Sequence, residues 1–278
     1  MASALDSQPP EHPTFLLSYA SPGIMVMTIN RPAQMNSIPS ASHWEAQTLL
    51  NWYDNEPSLQ VCIITGSGSK AFCSGQDLIE QAAFMINPPP VQMRRHPPTG
   101  FCGISRRAGR KPIIAAVNGF ALGGGTEIIL NCDIIVASPS ASFGLPEVSV
   151  GLYAAAGGLP RLVHTLGMPL ASEIALTGRR LTASEALSFH LINKISESPS
   201  SLLEEAIELA KKVAAQSPDS IIVTRAGLRE AWETASVEGA TRRVSERYDR
   251  GIFEGENVGI GLESFRGKRK PVWRPSKL

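Results

Sequence analysis

KPIIAAVNGFALGGGTE, residues 111–127, runs from a proline-bounded apolar stretch into three consecutive glycines and then a carboxylate. Ile113 to Val117 have the apolar, β-rich character of a short strand, and Asn118 and Gly119 punctuate its end. Gly123, Gly124 and Gly125 lack a Cβ, so the backbone there can approach a ligand closely and take φ values that other residues resist. Glu127 then enters apolar company, followed by Ile128, Ile129 and Leu130. A glycine run at a helix start suits either a phosphate or an oxyanion, with the helix dipole assisting. The Lys-Ser/Thr of a P-loop is missing and the spacing does not fit the dinucleotide fingerprint, which favours the oxyanion. Taken alone, the string also fits a helix packed tightly on a neighbouring strand, with Glu127 solvated or paired to an arginine.

Outward from this stretch the same texture recurs. IMVMTI (24–29), VCIIT (61–65) and DIIVA (133–137) are further short β-rich runs with helical patterns between them, so the class is α/β. SASHWEAQTLLNWYDNEP reads as a helix entered at Ser40 or Ser42 and stopped at Pro57. SLLEEAIELAKKVAAQSP sets Ser201 and Glu204 at capping-box spacing, with Leu202, Ala206, Leu209 and Val213 on one stripe, and Thr182 with Glu185 forms a second box. The expected organisation is a loose tail over 1–13, an α/β core over 14–200 and a helical region over 201–278. Residues 86–112, with five prolines between 88 and 98 and a cluster of Arg and Lys, read as a mobile loop or lid followed by a short helix. No internal repeat of solenoid length is visible.

Composition excludes several classes. In 278 residues, 26 Lys+Arg against 25 Asp+Glu leave a formal charge of +1, so no long-range field favours nucleic acid. The longest apolar runs fall well short of the ~20 residues a membrane helix needs. The start, MASALDSQPPEHP, has neither the secretory nor the mitochondrial pattern. Cys62, Cys73, Cys102 and Cys132 form no CxxC pair, so the expectation is reduced, buried thiols with no metal and no disulfide framework.

Two further segments bear on the glycines. FCSGQDL (72–78) places a second glycine turn after a strand, and FGLPEVSVGL (143–152) places a second isolated carboxylate, Glu147, behind a proline. Together with TINRPAQMNS, CDIIVASPSASFGLPEVSVGL, AAGGLPRL, ALTGRRLTASEAL and SFRGKRKPVW, all in order over nearly the whole chain, the sequence resembles the crotonase (enoyl-CoA hydratase/isomerase) superfamily. The resemblance implies a spiral of ββα units with a helical C-terminal region that forms a homotrimer or a dimer of trimers. It implies a coenzyme A thioester as substrate, with no permanently bound cofactor. Carried over residue by residue, the backbone NH groups of Gln76 and Gly124 form the oxyanion hole. Hydratases of the family carry glutamates at both matching positions, whereas many isomerases keep only the one after GxP. This chain has both, with Glu147 implied to exchange the α-proton and Glu127 to orient water at the β-carbon. An enoyl-CoA hydratase or 3-hydroxyacyl-CoA dehydratase is expected. The alternatives are an isomerase, a dehydratase of a branched acyl group such as mevalonyl-CoA in siderophore assembly, or an RNA-binding protein on the same fold. Near-neutral charge and the paired glutamates argue against the last.

The chain also departs from the family. Ala33 and Ile79 stand where relatives often carry basic residues for the coenzyme, which leaves Lys268 as a matching contact and Arg94, Arg95, Arg106 and Arg107 as candidates. Asn257 and Ile260 replace an acidic pattern near the end. Asp77 reads as a turn-stabilising side chain and Asp133 as structural. His43, His96, His164 and His190 match no catalytic position and read as surface or helix residues. Ser276, Lys277 and Leu278 spell a peroxisomal address, so an import receptor as partner, an exposed end and residence in the peroxisomal matrix are expected.

Overall fold

The computed structural model describes residues 5–278. Ten strands form two sheets: β1 (Phe15–Ser21), β2 (Ile24–Ile29), β3 (Val61–Gly66), β4 (Ala71–Cys73), β5 (Ile113–Val117), β6 (Phe120–Leu122), β7 (Ile134–Ala137), β8 (Ser142–Gly144), β9 (Leu181–Thr182) and β10 (Lys194–Ile195). The larger sheet has the order β1-β2-β3-β5-β7-β10, and the smaller the order β4-β6-β8-β9. Within the larger sheet β2, β3, β5, β7 and β10 run parallel, with β1 antiparallel at the edge. Its inner strands β2, β3, β5 and β7 are covered on both faces, which is why they read as apolar runs. In β3, Cys62 and Ile64 point into the main core while Val61 and Ile63 face a second cluster.

Eleven α-helices complete the described chain: α1 (Ser40–Asn55), α2 (Leu78–Ile86), α3 (Val91–Arg94), α4 (Gly124–Ile129), α5 (Gly158–Leu166), α6 (Met168–Thr177), α7 (Ala183–Ser188), α8 (Leu202–Ala214), α9 (Pro218–Thr234), α10 (Val237–Phe253) and α11 (Glu256–Arg266). Leu202, Ala206 and Ala210 of α8 close the second cluster over the larger sheet. Asp133, at the entry to β7, ties α9 to the core: Arg225 Nε lies 3.0 Å and an Arg229 terminal nitrogen 3.2 Å from its carboxylate. Burial opposes the charge there, but the two guanidiniums hold Asp133 below its usual range.

A structural repeat underlies the spiral. β3 leads by a short turn into β4, β5 into β6 and β7 into β8, one strand of each pair in each sheet. The repeat lies in connectivity and pairing and leaves no common residue pattern. In the smaller sheet β4, β6 and β8 are parallel neighbours, so their C-terminal ends meet at one edge. The segments leaving those ends are the turn at Gly75–Gln76, the glycines at 123–125 and Pro146–Glu147. A crevice outside the carboxyl ends of parallel strands is where α/β folds place their ligands.

Several expectations change. Residues 1–4 lie outside the described residues, but the tail is not loose beyond them: the amides of Asp6 and Ser7 each donate to the buried Glu56 carboxylate at 2.9 Å. Trp52 Nε1 holds the Ser7 hydroxyl at 2.8 Å. The segment 86–112 is not exposed throughout, since Phe101 to Ser105 are buried beneath α1 and α4. The Thr182–Glu185 capping box forms. The one expected at Ser201 does not, because its hydroxyl is engaged with Ser198 and Glu205. The expected exposed end is instead docked: the Leu278 carbonyl accepts from Arg110, Lys277 pairs with Glu256, and Ser276 lines a small cavity with Lys111.

Candidate active site

Why three glycines precede Glu127 is answered by packing. Gly123 has φ +55°, and a Cβ there would lie 3.1 Å from Glu147 Oε1. A Cβ on Gly125 would come within 2.1 Å of the Cys73 carbonyl oxygen at the end of β4. The run therefore lets α4 sit directly on the smaller sheet and brings the backbone of 123–124 beside the turn at Gly75, where the Gly124 nitrogen is 3.3 Å from the place a Cβ would take. The tight-packing reading of the glycine run holds, and that packing sets the Gly124 amide beside the turn at Gly75.

The three segments open onto one cavity of about 360 Å³, whose walls include Gln76, Gly124, Glu127 and Glu147. The amides of Gln76 and Gly124 donate to no acceptor among the described residues. Gly124 is the first residue of α4, so its NH also carries the positive end of that turn. The Phe101 ring packs against Gly124 where a Cβ would stand, and both line the cavity.

The two carboxylates differ in their surroundings. Glu127 is buried and accepts the Gly158 amide at 2.8 Å through Oε1. Burial pushes it up to about 7, against the pull of the Gly158 and Ala156 amides and with the charge of Glu147 adding to the rise. Glu147 sits in the short 3₁₀ turn Pro146–Val150, where burial likewise raises it. Its Oε2 is buried without a hydrogen-bond partner among the described residues. A half-neutral acid beside a carboxylate with an uncommitted oxygen can pass a proton in either direction near pH 7.

Asp77 has the structural task expected of it. It caps α2 through the amides of Ile79 and Glu80, both at 3.2 Å, and pairs with Arg31 at 2.9 Å. Lys268 lies outside this cavity of its own chain, after α11, exposed and with no ion-pair partner among the described residues. Of the four candidate arginines only Arg94 lines the cavity. Arg107 instead pairs with Asp54 at 2.5 Å inside the core.

Two of the histidines meet at the cavity, although His43 is the helix residue it was expected to be. His43 of α1 is buried behind the cavity, and His96 lines it. His43 Nδ1 accepts the Cys102 amide at 3.0 Å, which places the ring hydrogen on Nε2, and Nε2 donates to Gln76 Oε1 at 2.8 Å. Burial, with His96 nearby, pushes His43 down to about 3, so the ring is neutral. Sequence reading missed this cluster because its members come from α1, the turn after β4 and the segment after α3, with no periodicity or spacing to join them.

The comparisons with known proteins identify the family and the fold. The family model described as enoyl-CoA hydratase/isomerase matches residues 20–276. Mevalonyl-coenzyme A hydratase of Aspergillus fumigatus is 46% identical over 270 residues, covering 96% of this chain and 98% of that protein. The protein of the same name from Beauveria bassiana is 44% identical, covering 98% of each. The short-chain-enoyl-CoA hydratase of Clostridium acetobutylicum is 34% identical, covering 89% of this chain and 92% of that protein. Among solved structures, an enoyl-CoA hydratase from Bacillus anthracis superposes with a TM-score of 0.83 at 32% identity, covering 94% of this chain and 99% of that one. The matched length, the spiral of paired strands and the strand ends that converge on two glutamates make this chain a member of the enoyl-CoA hydratase/isomerase family, the crotonase superfamily.

Proposed function

We propose that this chain is a hydro-lyase that removes water from, or adds it to, the acyl group of a coenzyme A thioester, and that its acyl group is mevalonyl. The observation that carries the reaction class is the pairing of Glu127 and Glu147 with two uncommitted amides on one cavity wall. The sequence identity of 46% and 44% to two mevalonyl-coenzyme A hydratases, against 34% to a short-chain hydratase, favours the branched group.

In the dehydration direction the thioester oxygen rests between the Gln76 and Gly124 amides. Ionised Glu147 takes a proton from the α-carbon, and the electron pair moves toward the carbonyl as an enolate held by those amides. Removal of one such donor costs roughly 3–4 kcal/mol in other enzymes. Protonated Glu127 gives its proton to the β-hydroxyl, the C–O bond breaks, and water leaves as the double bond forms. Hydration runs the same steps backwards, with Glu127 taking a proton from the water. Coenzyme A enters as part of the substrate. Lys268 is assigned to it, across a subunit boundary.

Assembly as a homotrimer or dimer of trimers is supported by apolar side chains left exposed on the C-terminal helices, among them Leu228, Phe253, Leu262 and Phe265. Residence in the peroxisomal matrix, reached through an import receptor, rests on Ser276-Lys277-Leu278, which must leave their contacts with Arg110 and Glu256 to meet that receptor. Its test is import of a fusion with and without the final three residues. For the reaction, purified protein is given mevalonyl-CoA and crotonyl-CoA in ¹⁸O-labelled water, and products are read by mass spectrometry. Loss of water from the first, abolished in Glu127→Ala and Glu147→Ala, is expected. Double-bond migration without uptake or loss of water would replace the assignment with an isomerase.

A further inference from the structure

The cavity lining is mostly apolar, with Leu78, Phe101, Val150, Leu152 and Tyr153, but three polar side chains that a plain acyl chain does not call for, Gln76, Gln81 and His96, interrupt it. Each is tied to polar groups behind: Gln76 to His43, Gln81 Nε2 to the Ser40 hydroxyl at 3.5 Å, and His96 Nε2 to Gln76 Oε1 at 3.5 Å. Glu80 supports the same wall, accepting the amide and hydroxyl of Ser40, each at 2.7 Å, and the Gln76 side-chain amide at 3.5 Å. His96 further packs edge-on against His43, with ring centroids 4.5 Å apart, and against Phe101 at 5.6 Å.

These contacts fix hydrogens. The Cys102 amide makes His43 a donor at Nε2, so the atom of Gln76 that faces it is the oxygen. That oxygen only accepts, so His96 must bring a hydrogen on its own Nε2. His96 is half-buried, and burial lowers it toward the neutral ring. Its Nδ1 is then a bare acceptor, with no partner among the described residues.

The placement says what such an acceptor meets. In the reaction proposed above Glu127 and Glu147 flank the α- and β-carbons, and coenzyme A, far larger than the cavity, stays outside it. His96 lines the cavity with its ring packed on the buried His43 and Phe101. The group that reaches it is the end of the acyl chain. We infer that His96, held by Gln76 and His43, accepts a hydrogen bond from a hydroxyl at the far end of the acyl group and selects hydroxylated over plain branched acyl chains. The inference rests on the hydro-lyase reading above and adds the residue that reads the end of the substrate. A site built to bind a hydroxyl rejects the analogue without it, because its polar group is left buried and unpaired.

The test compares mevalonyl-CoA with 3-hydroxy-3-methylpentanoyl-CoA, the same skeleton without the terminal hydroxyl, in wild type, His96→Phe and His96→Asn. The readout is the ratio of kcat/KM for the two thioesters within each protein, which cancels differences in folded fraction. The wild type is expected to favour mevalonyl-CoA by about tenfold or more, a preference that His96→Phe loses and His96→Asn, which restores a polar group at that end, partly regains. A preference unchanged in His96→Phe, or a wild type indifferent to the hydroxyl while dehydrating both thioesters, would overturn the inference and leave the hydro-lyase standing. Failure of the wild type to dehydrate either would overturn both.

Discussion

Glu127→Gln should leave the protein inactive and, above neutral pH, more stable than the wild type. Glu127 is buried, 3% exposed, and its folded value of about 7 stands above the 4.5 of a free carboxyl. At about 1.4 kcal/mol for each unit of pH, that rise amounts to about 3 kcal/mol. The folded protein holds this proton more tightly than the unfolded chain does, so the favourable contribution is complete below pH 4.5 and is lost as pH climbs to about 7. Above that, the wild type carries the full cost of a buried charge beside Glu147. Glutamine bears no charge and can keep the bond from the Gly158 amide, made by Oε1 at 2.8 Å. Denaturant unfolding of both proteins at equal concentration should then give similar midpoints near pH 4.5, and a gain of about 3 kcal/mol for the variant at pH 8. A difference that does not change between these pH values would refute the argument, because it would show that the charge of Glu127 is not what burial penalises.

Glu147→Gln should lower kcat by about 10²- to 10⁴-fold, and a loss under tenfold in steady-state turnover would remove it from proton transfer. Gly125→Ala should destabilise by about 1–3 kcal/mol or more, since its Cβ would meet the Cys73 carbonyl oxygen at 2.1 Å; an unchanged denaturation midpoint would contradict the packing. Arg225→Met should cost about 3–5 kcal/mol by leaving Asp133 under-compensated beneath α9, and a loss below 1 kcal/mol in denaturant unfolding would assign that pair a lesser part. Arg110→Ala should speed release of Leu278 by carboxypeptidase, and equal rates in both proteins would show that the terminus is not held there.

How much was legible depended on how local the determining physics is. The strands at 24–29 and 113–117 are predicted to the residue because they are apolar on both faces and ended by their own neighbours. β1 escaped notice because half of it is exposed at the sheet edge, and β9 and β10 because two residues carry no pattern. Thr182 caps its helix as its spacing promises, whereas Ser201, with the same spacing, is drawn off by Ser198 and Glu205. Gln76, Gly124, Glu127 and Glu147 all fall on the cavity because motif order carries them. His96 and Phe101 were hidden in a proline-rich run that composition alone marks as loop. Their burial is decided by α1 and α4, which lie far away in sequence.

Position 76 belongs to the cavity twice, once by its main chain and once by its side chain. Mutation treats the two unequally. Of all single replacements only proline deletes an amide, so the donor is passed on with the fold, while the amide-bearing side chain that meets His43 and His96 can be exchanged by ordinary substitution. With the roles proposed above for Gln76 and His96, a lineage can change which acyl ends it accepts without passing through an ancestor that has lost the reaction.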